Sequence, residues 1–170
     1  MENAIERSKF SEKIKFHTKT AVTPEELQNA FNEAKPDIFH FSGHSDENAL
    51  LLDDGTPLGN KGKTLTYKIL ARLINSTKKQ PDIVFLNSCF SANAADELLK
   101  FCQLVIGMNN TINIDAAGVF AKRFYAGVAN GETIENCVEQ GKIALAIDYP
   151  DAEALIEVFT KEDSALQISY

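Results

Sequence analysis

Two apolar runs share one form along the chain: Pro36-Asp37-Ile38-Phe39-His40-Phe41-Ser42-Gly43-His44 and Pro81-Asp82-Ile83-Val84-Phe85-Leu86-Asn87-Ser88-Cys89. Short apolar runs bounded by turn residues predict buried strands, and each of these ends on a chemically versatile side chain. Between and around them the period changes. Thr23-Pro24-Glu25-Glu26-Leu27 reads as a helix start, with Thr23 as cap and Pro24 in the first position, and Leu27, Ala30, Phe31 and Ala34 fall on one face. A second helical pattern runs from Leu65 to Ile74 with Ile69, Leu70, Leu73 and Ile74 apolar, and a third follows Ser91, read as its cap, through Ala94, Ala95, Leu98 and Leu99. Beyond the strand Gln103–Gly107, helices are predicted over Ala116–Ala129 and Thr133–Ile147, separated by Gly131, and a last strand over Leu155–Phe159, at an edge. Weak alternation over Lys13–His17 predicts a short strand, and Ala49–Leu58, turning at Asp54-Gly55, predicts a small hairpin. Strands alternating with helices favour an α/β fold with a mostly parallel central sheet flanked by helices.

In such a sheet, ligands bind in the crevice at the carboxyl ends of the strands. His44 and Cys89 both fall at predicted strand ends, and a histidine and a cysteine delivered there by separate strands pair as a base and a nucleophile. A cysteine just ahead of a helix amino terminus and beside a histidine has the setting that thiolate chemistry uses. Backbone N–H groups at the same two strand ends, those of Cys89 and Ser45, are the candidate oxyanion donors.

Composition narrows the alternatives. At 170 residues, 44% hydrophobic and 24% charged, the chain suits one folded domain spanning 1–170. The 24 acidic against 17 basic residues, a net charge of −7, oppose binding of nucleic acid by this domain. No apolar stretch approaches the roughly 18 residues of a membrane span, and the charged start, Met1-Glu2-Asn3-Ala4-Ile5-Glu6-Arg7, lacks a signal peptide's apolar core, so a cytoplasmic location is expected. Three cysteines at irregular spacing form neither a disulfide framework nor a zinc site; Cys102 and Cys137 read as packing residues. His40, four residues before His44, lacks a third ligand nearby and reads as a structural histidine, so neither metal nor cofactor is expected. Asp46, Glu47, Asp53 and Asp54 read as a solvated acidic loop. A receiver-like or nucleotide-binding domain is disfavoured, because no Gly-rich phosphate loop follows a strand.

His40-Phe41-Ser42-Gly43-His44, followed 45 positions later by Cys89 in Leu86-Asn87-Ser88-Cys89-Phe90-Ser91, resembles the CHAT group of caspase-like domains, within the caspase-fold (clan CD) cysteine peptidases. Val105-Ile106-Gly107-Met108, Asp115-Ala116-Ala117, Phe124-Tyr125 and the segment from Gly131 to Gly141 extend the likeness over roughly Ala21–Ile147. The resemblance implies a caspase-like three-layer sandwich and a cysteine endopeptidase with a His44–Cys89 dyad that cleaves a protein or peptide through a thioester. It also implies an effector domain of a bacterial signalling or defence system, served by an activating partner or additional domains. The alternative is a catalytically silent caspase-like module that binds a protein partner. The chain departs from the family in three places. Ser45 stands where a glycine usually follows the histidine, the caspase motif around the cysteine is absent, and the family's strand before the first helix has no counterpart in this reading. For the residue preceding the cut, the resemblance points to Asn87, two before the cysteine, as a pocket residue. Asp115 is the second candidate, against its reading as the cap of the helix from Ala116.

Overall fold

The computed structural model describes residues 10–56 and 61–161. They form two compact units, one made of His17–Thr111 and the chain from Glu157, the other of Ile112–Ile156 and the chain up to Phe16.

The first unit is built on a sheet with strand order β1-β5-β6-β7: β1 (Ile38–Ser42), β5 (Ile83–Asn87), β6 (Leu104–Met108) and β7 (Ile156–Thr160). β1 runs parallel to β5, pairing Ile38 with Ile83 through Ser42 with Asn87, and β5 runs parallel to β6. All five residues of both β5 and β6 are buried, which is why these segments are continuously apolar rather than alternating. β7 lies at the edge of the order, as expected for the last strand.

Helix α1 (Pro24–Ala34) starts with a full capping box: Thr23 Oγ1 accepts from Glu26 N–H at 3.2 Å, and the Glu26 carboxylate accepts from Thr23 N–H at 2.8 Å. Lys35 in the left-handed conformation ends it. Leu27 and Phe31, one turn apart, are buried in a core with Leu70 and Ile74 of α2 (Tyr67–Asn75) and with Val84 and Leu86 of β5. Closing one fully buried side chain of this size away from water contributes roughly 1.5–3 kcal/mol.

A second, antiparallel sheet follows β1. It contains β2 (His44–Ser45), β3 (Ala49–Leu52) and β4 (Lys63–Thr66) in that order. The expected hairpin over Ala49–Leu58 is therefore corrected in its partners: Ala49–Leu52 is a strand, but it pairs with His44–Ser45 on one side and Lys63–Thr66 on the other. Gly55 does take a positive φ of 75°, while Pro57 and Leu58 lie outside the described residues. The strand expected over Lys13–His17 is also absent: Ser11–Lys13 is a 3-10 turn and residues 14–17 have no regular structure. Among the described residues, no strand precedes α1.

The other unit is a helical hairpin of α4 (Ile114–Asn130) and α5 (Ile134–Asp148), joined through Gly131 in the left-handed conformation and Thr133, whose hydroxyl caps α5 on Asn136 N–H. Of Val119, Phe120, Phe124 and Val128, which their spacing places on one side of α4, the last three are buried and Val119 is half-buried. Gly141 of α5 admits the Phe120 ring, which a Cβ there would meet at 2.7 Å.

Candidate active site

β1 and β5 are neighbours, and their last paired residues are Ser42 and Asn87. His44, the first residue of β2, and Cys89 each lie two residues beyond that pair, past the ends of neighbouring strands that run about 4.8 Å apart. Both therefore emerge from the same end of the sheet. His44 is exposed and Cys89 half-buried.

Hydrogen bonds tie the two strand ends together. Ser45 Oγ donates to the carbonyl of Cys89 across 44 residues of sequence, and Asn93 Nδ2 donates to the carbonyl of Glu47 at 3.2 Å. The loop after His44 is braced from the other side as well. The Tyr67 hydroxyl donates to the Asp46 carbonyl at 2.8 Å, and Tyr67 N–H donates to the Asn48 carbonyl at 3.0 Å. Asp46 Oδ1 accepts from the N–H groups of Asn48 and Ala49 at 2.8 and 2.9 Å. Burial pushes the Tyr67 phenol up to about 12, opposed by a hydrogen bond with the Ser45 side chain and aided by a lesser effect of the Asp46 charge, so this hydroxyl keeps its proton near neutral pH.

The direction of the Ser45 amide follows from the ladder. Asp46 N–H donates to Ala49 O at 3.0 Å, and in an antiparallel pair hydrogen-bonded and open positions alternate. Ser45 and Leu50 are thus an open pair. The Ser45 N–H points away from β3 and is left out of that ladder.

The turn after Cys89 is unusual. Phe90 has φ 57° and ψ 14°, a left-handed conformation in a residue with a large side chain, costing roughly 1–2 kcal/mol. Its N–H donates to the Asn110 carbonyl at 3.4 Å. Ser91 opens a 3-10 turn (Ser91–Ala94) that continues into α3 (Ala95–Leu98). The expected Ser91 cap is corrected here: the fully buried hydroxyl turns back instead, donating toward the carbonyls of Leu86 (2.6 Å) and Ser88 (2.7 Å) and accepting from Met108 N–H at 3.0 Å. Sequence reasoning missed this staple because a serine before a helical pattern has the same local signature as a cap.

Asn87 is buried at the end of β5. Asp115 belongs to the helical unit, and the expected cap is corrected to Asn113, whose side chain accepts from Asp115 N–H at 2.8 Å. Asp115 itself is an exposed first-turn residue of α4. His40 stacks on Phe85, ring centroids 4.3 Å apart and nearly coplanar at 9°, and burial lowers its imidazole to about 4. Cys102 and Cys137 are buried, and that burial pushes both thiols up to about 12. Among the described residues, no group of three or more His, Cys, Asp or Glu is placed to hold a metal, and no helix is long and apolar enough to cross a membrane.

A largely parallel central sheet flanked by helices is the fold of caspase-like cysteine proteases. Solved structures share the fold: gingipain R, an Arg-specific cysteine proteinase, superposes with a TM-score of 0.61 at 18% identity over 84% of this chain and 36% of its own. A secreted cysteine protease from Bacteroides thetaiotaomicron, solved with an irreversible peptide inhibitor, gives 0.58 at 14% identity over 80% of this chain and 44% of its own. The sequence profile of the CHAT domain matches residues 3–154, and the chain belongs to that family. A probable protease of Gillisia limnaea is 24% identical over 162 residues, 91% of this chain and 27% of that protein. The chain thus spans little more than a quarter of this curated relative's length.

Proposed function

We propose that this chain is a cysteine endopeptidase in which Cys89 is the nucleophile and His44 its general base. The observation that carries the reading is the union of the two strand ends: both residues lie two positions beyond the Ser42–Asn87 pair, and Ser45, the neighbour of His44, bonds the carbonyl of Cys89.

His44 removes the thiol proton as the sulfur attacks the scissile carbonyl carbon. The carbonyl π electrons move onto oxygen, and the resulting oxyanion is held by the N–H groups of Ser45 and Cys89. The outward direction of the Ser45 amide supports the first of these donors. Collapse of the intermediate breaks the C–N bond, and the leaving amine takes its proton from His44. Water, deprotonated by His44, then attacks the thioester carbon; the C–S bond breaks, the proton on His44 returns to the sulfur, and the carboxylic acid product ionises to solvent on release. Membership of the CHAT family supports a place for this domain as the effector of a bacterial signalling or defence system, acting on a protein substrate in the cytoplasm.

The test is cleavage-site profiling on a proteome-derived peptide library, with fold checked by circular dichroism. Cys89→Ala and His44→Ala are expected to retain the wild-type spectrum and lose cleavage, by a factor on the order of 10³ or more for the nucleophile. Cleavage retained by a folded Cys89→Ala protein rejects the dyad, whereas a folded wild-type protein that cleaves nothing in the library favours the catalytically silent protein-binding module.

A further inference from the structure

We propose that Ser45 is a positioning residue whose hydroxyl fixes the peptide plane that follows the nucleophile and locks it to the histidine-bearing strand. This rests on the reading of Cys89 and His44 as the reacting pair.

The peptide between Cys89 and Phe90 is held at both ends by different parts of the fold. Its carbonyl accepts from Ser45 Oγ on β2, and its N–H donates to the Asn110 carbonyl just beyond β6. A plane pinned from two sides cannot rotate. That restraint explains how Phe90 stays left-handed, since a strained backbone angle persists only where its surroundings over-determine it. Rotation about the bonds on either side of Cys89 would otherwise swing the sulfur relative to the imidazole.

Ser45 is itself immobilised. Its strand pairs with β3, and the next carbonyl along, that of Asp46, accepts from the buried Tyr67 hydroxyl. Asn93, four residues after Cys89, makes a second tie to the same loop at Glu47. The hydroxyl also has an electrostatic effect. A carbonyl oxygen occupied by Ser45 stays turned toward β2, whereas a freely rotating one would bring negative charge toward a developing oxyanion. A glycine at position 45 supplies an N–H but no such tie, so this role belongs to the serine that departs from the family pattern.

The experiment uses a peptide that the wild-type protein cleaves, together with the rate of Cys89 alkylation by iodoacetamide, located by mass spectrometry. Ser45→Ala and Ser45→Gly keep the N–H and lose the hydroxyl. Both are expected to lower kcat by roughly 10- to 100-fold, the scale of a small misplacement of reacting groups, with KM little changed and alkylation slowed in parallel. Ser45→Thr is expected to recover most of the loss, and Tyr67→Phe to show a smaller fall in kcat. Wild-type kcat and alkylation rate in folded Ser45→Ala overturn the proposal, as does a Ser45→Thr protein no better than Ser45→Ala. If Ser45→Ala loses its circular-dichroism signature, Ser45→Gly and Tyr67→Phe decide on the same two readouts. Failure of the catalytic reading is seen separately, as undiminished cleavage by Cys89→Ala.

Discussion

His40 sits four residues from His44 on the same chain segment, yet its physics is different. Stacked on Phe85 and half-buried, with its Nε2 shut off from solvent, it has an imidazole lowered by desolvation to about 4 against an ordinary 6.5, so it is neutral at pH 7. Because the folded state takes up its proton less readily than the unfolded chain, stability is full above about pH 6.5. It falls as the pH drops toward 4 and levels off below that. The full span corresponds to a loss of about 3 kcal/mol, and urea titrations at pH 7 and pH 4.5 measure most of it. His40→Phe, which keeps the ring stack, is expected to flatten this part of the profile; a slope unchanged in the variant would assign it to other groups. The sequence supports a structural role for His40 because the residue lies inside an apolar run with no third ligand nearby. Its partner Phe85 lies 45 positions away, and only strand pairing reveals it.

Among the elements, the turn from β5 through Ser91 to α3 depends most on close approach. A Cβ on Gly107 of β6 would lie 2.7 Å from the Ala92 backbone and 2.9 Å from the Ser91 carbonyl carbon, and backbone cannot step aside as a flexible side chain does. Gly107→Ala is expected to destabilise the fold by about 1–3 kcal/mol, read from the urea midpoint, and to reduce cleavage per folded molecule by displacing the turn that carries Cys89. A midpoint equal to wild type would show that the turn yields freely. Ser91→Ala leaves the Met108 N–H and the Leu86 carbonyl without this buried partner, for a loss of roughly 1–3 kcal/mol. The elements legible in the sequence were those with long periods or complete end signals: α1 with its capping box, α4 and α5 on either side of Gly131, and the apolar strands β1, β5 and β6. β4 was not. Lys63-Thr64-Leu65-Thr66 has a single buried residue, and what makes it a strand is pairing with Ala49–Leu52, information held elsewhere in the chain.

At the scale of the whole molecule, the two strand ends of the candidate site come together because β1 and β5 lie side by side although some 40 residues separate them in sequence. His44 and Cys89 stand out as candidates in the sequence because each closes an apolar run and because the spacing resembles a known family. The ties made by Ser45, Tyr67 and Asn93 could not. They depend on where loops come to rest after the sheet has formed, and a serine, a tyrosine or an asparagine in a loop has no periodicity to betray it. The CHAT match covers residues 3–154, across both compact units.

The burial of Cys102 and Cys137 has a practical consequence. Both thiols stay protonated until about pH 12 and are shielded by packing, whereas Cys89 is half-buried at the mouth of its turn. Brief treatment of the folded protein with iodoacetamide near neutral pH is expected to modify one cysteine per chain, at Cys89, and all three only after denaturation. Comparable labelling of Cys102 in the native state would contradict its burial. With that outcome the unaltered chain is a single-attachment reagent, able to take a fluorophore, a cross-linker or an affinity handle at one defined point without any cysteine being engineered away.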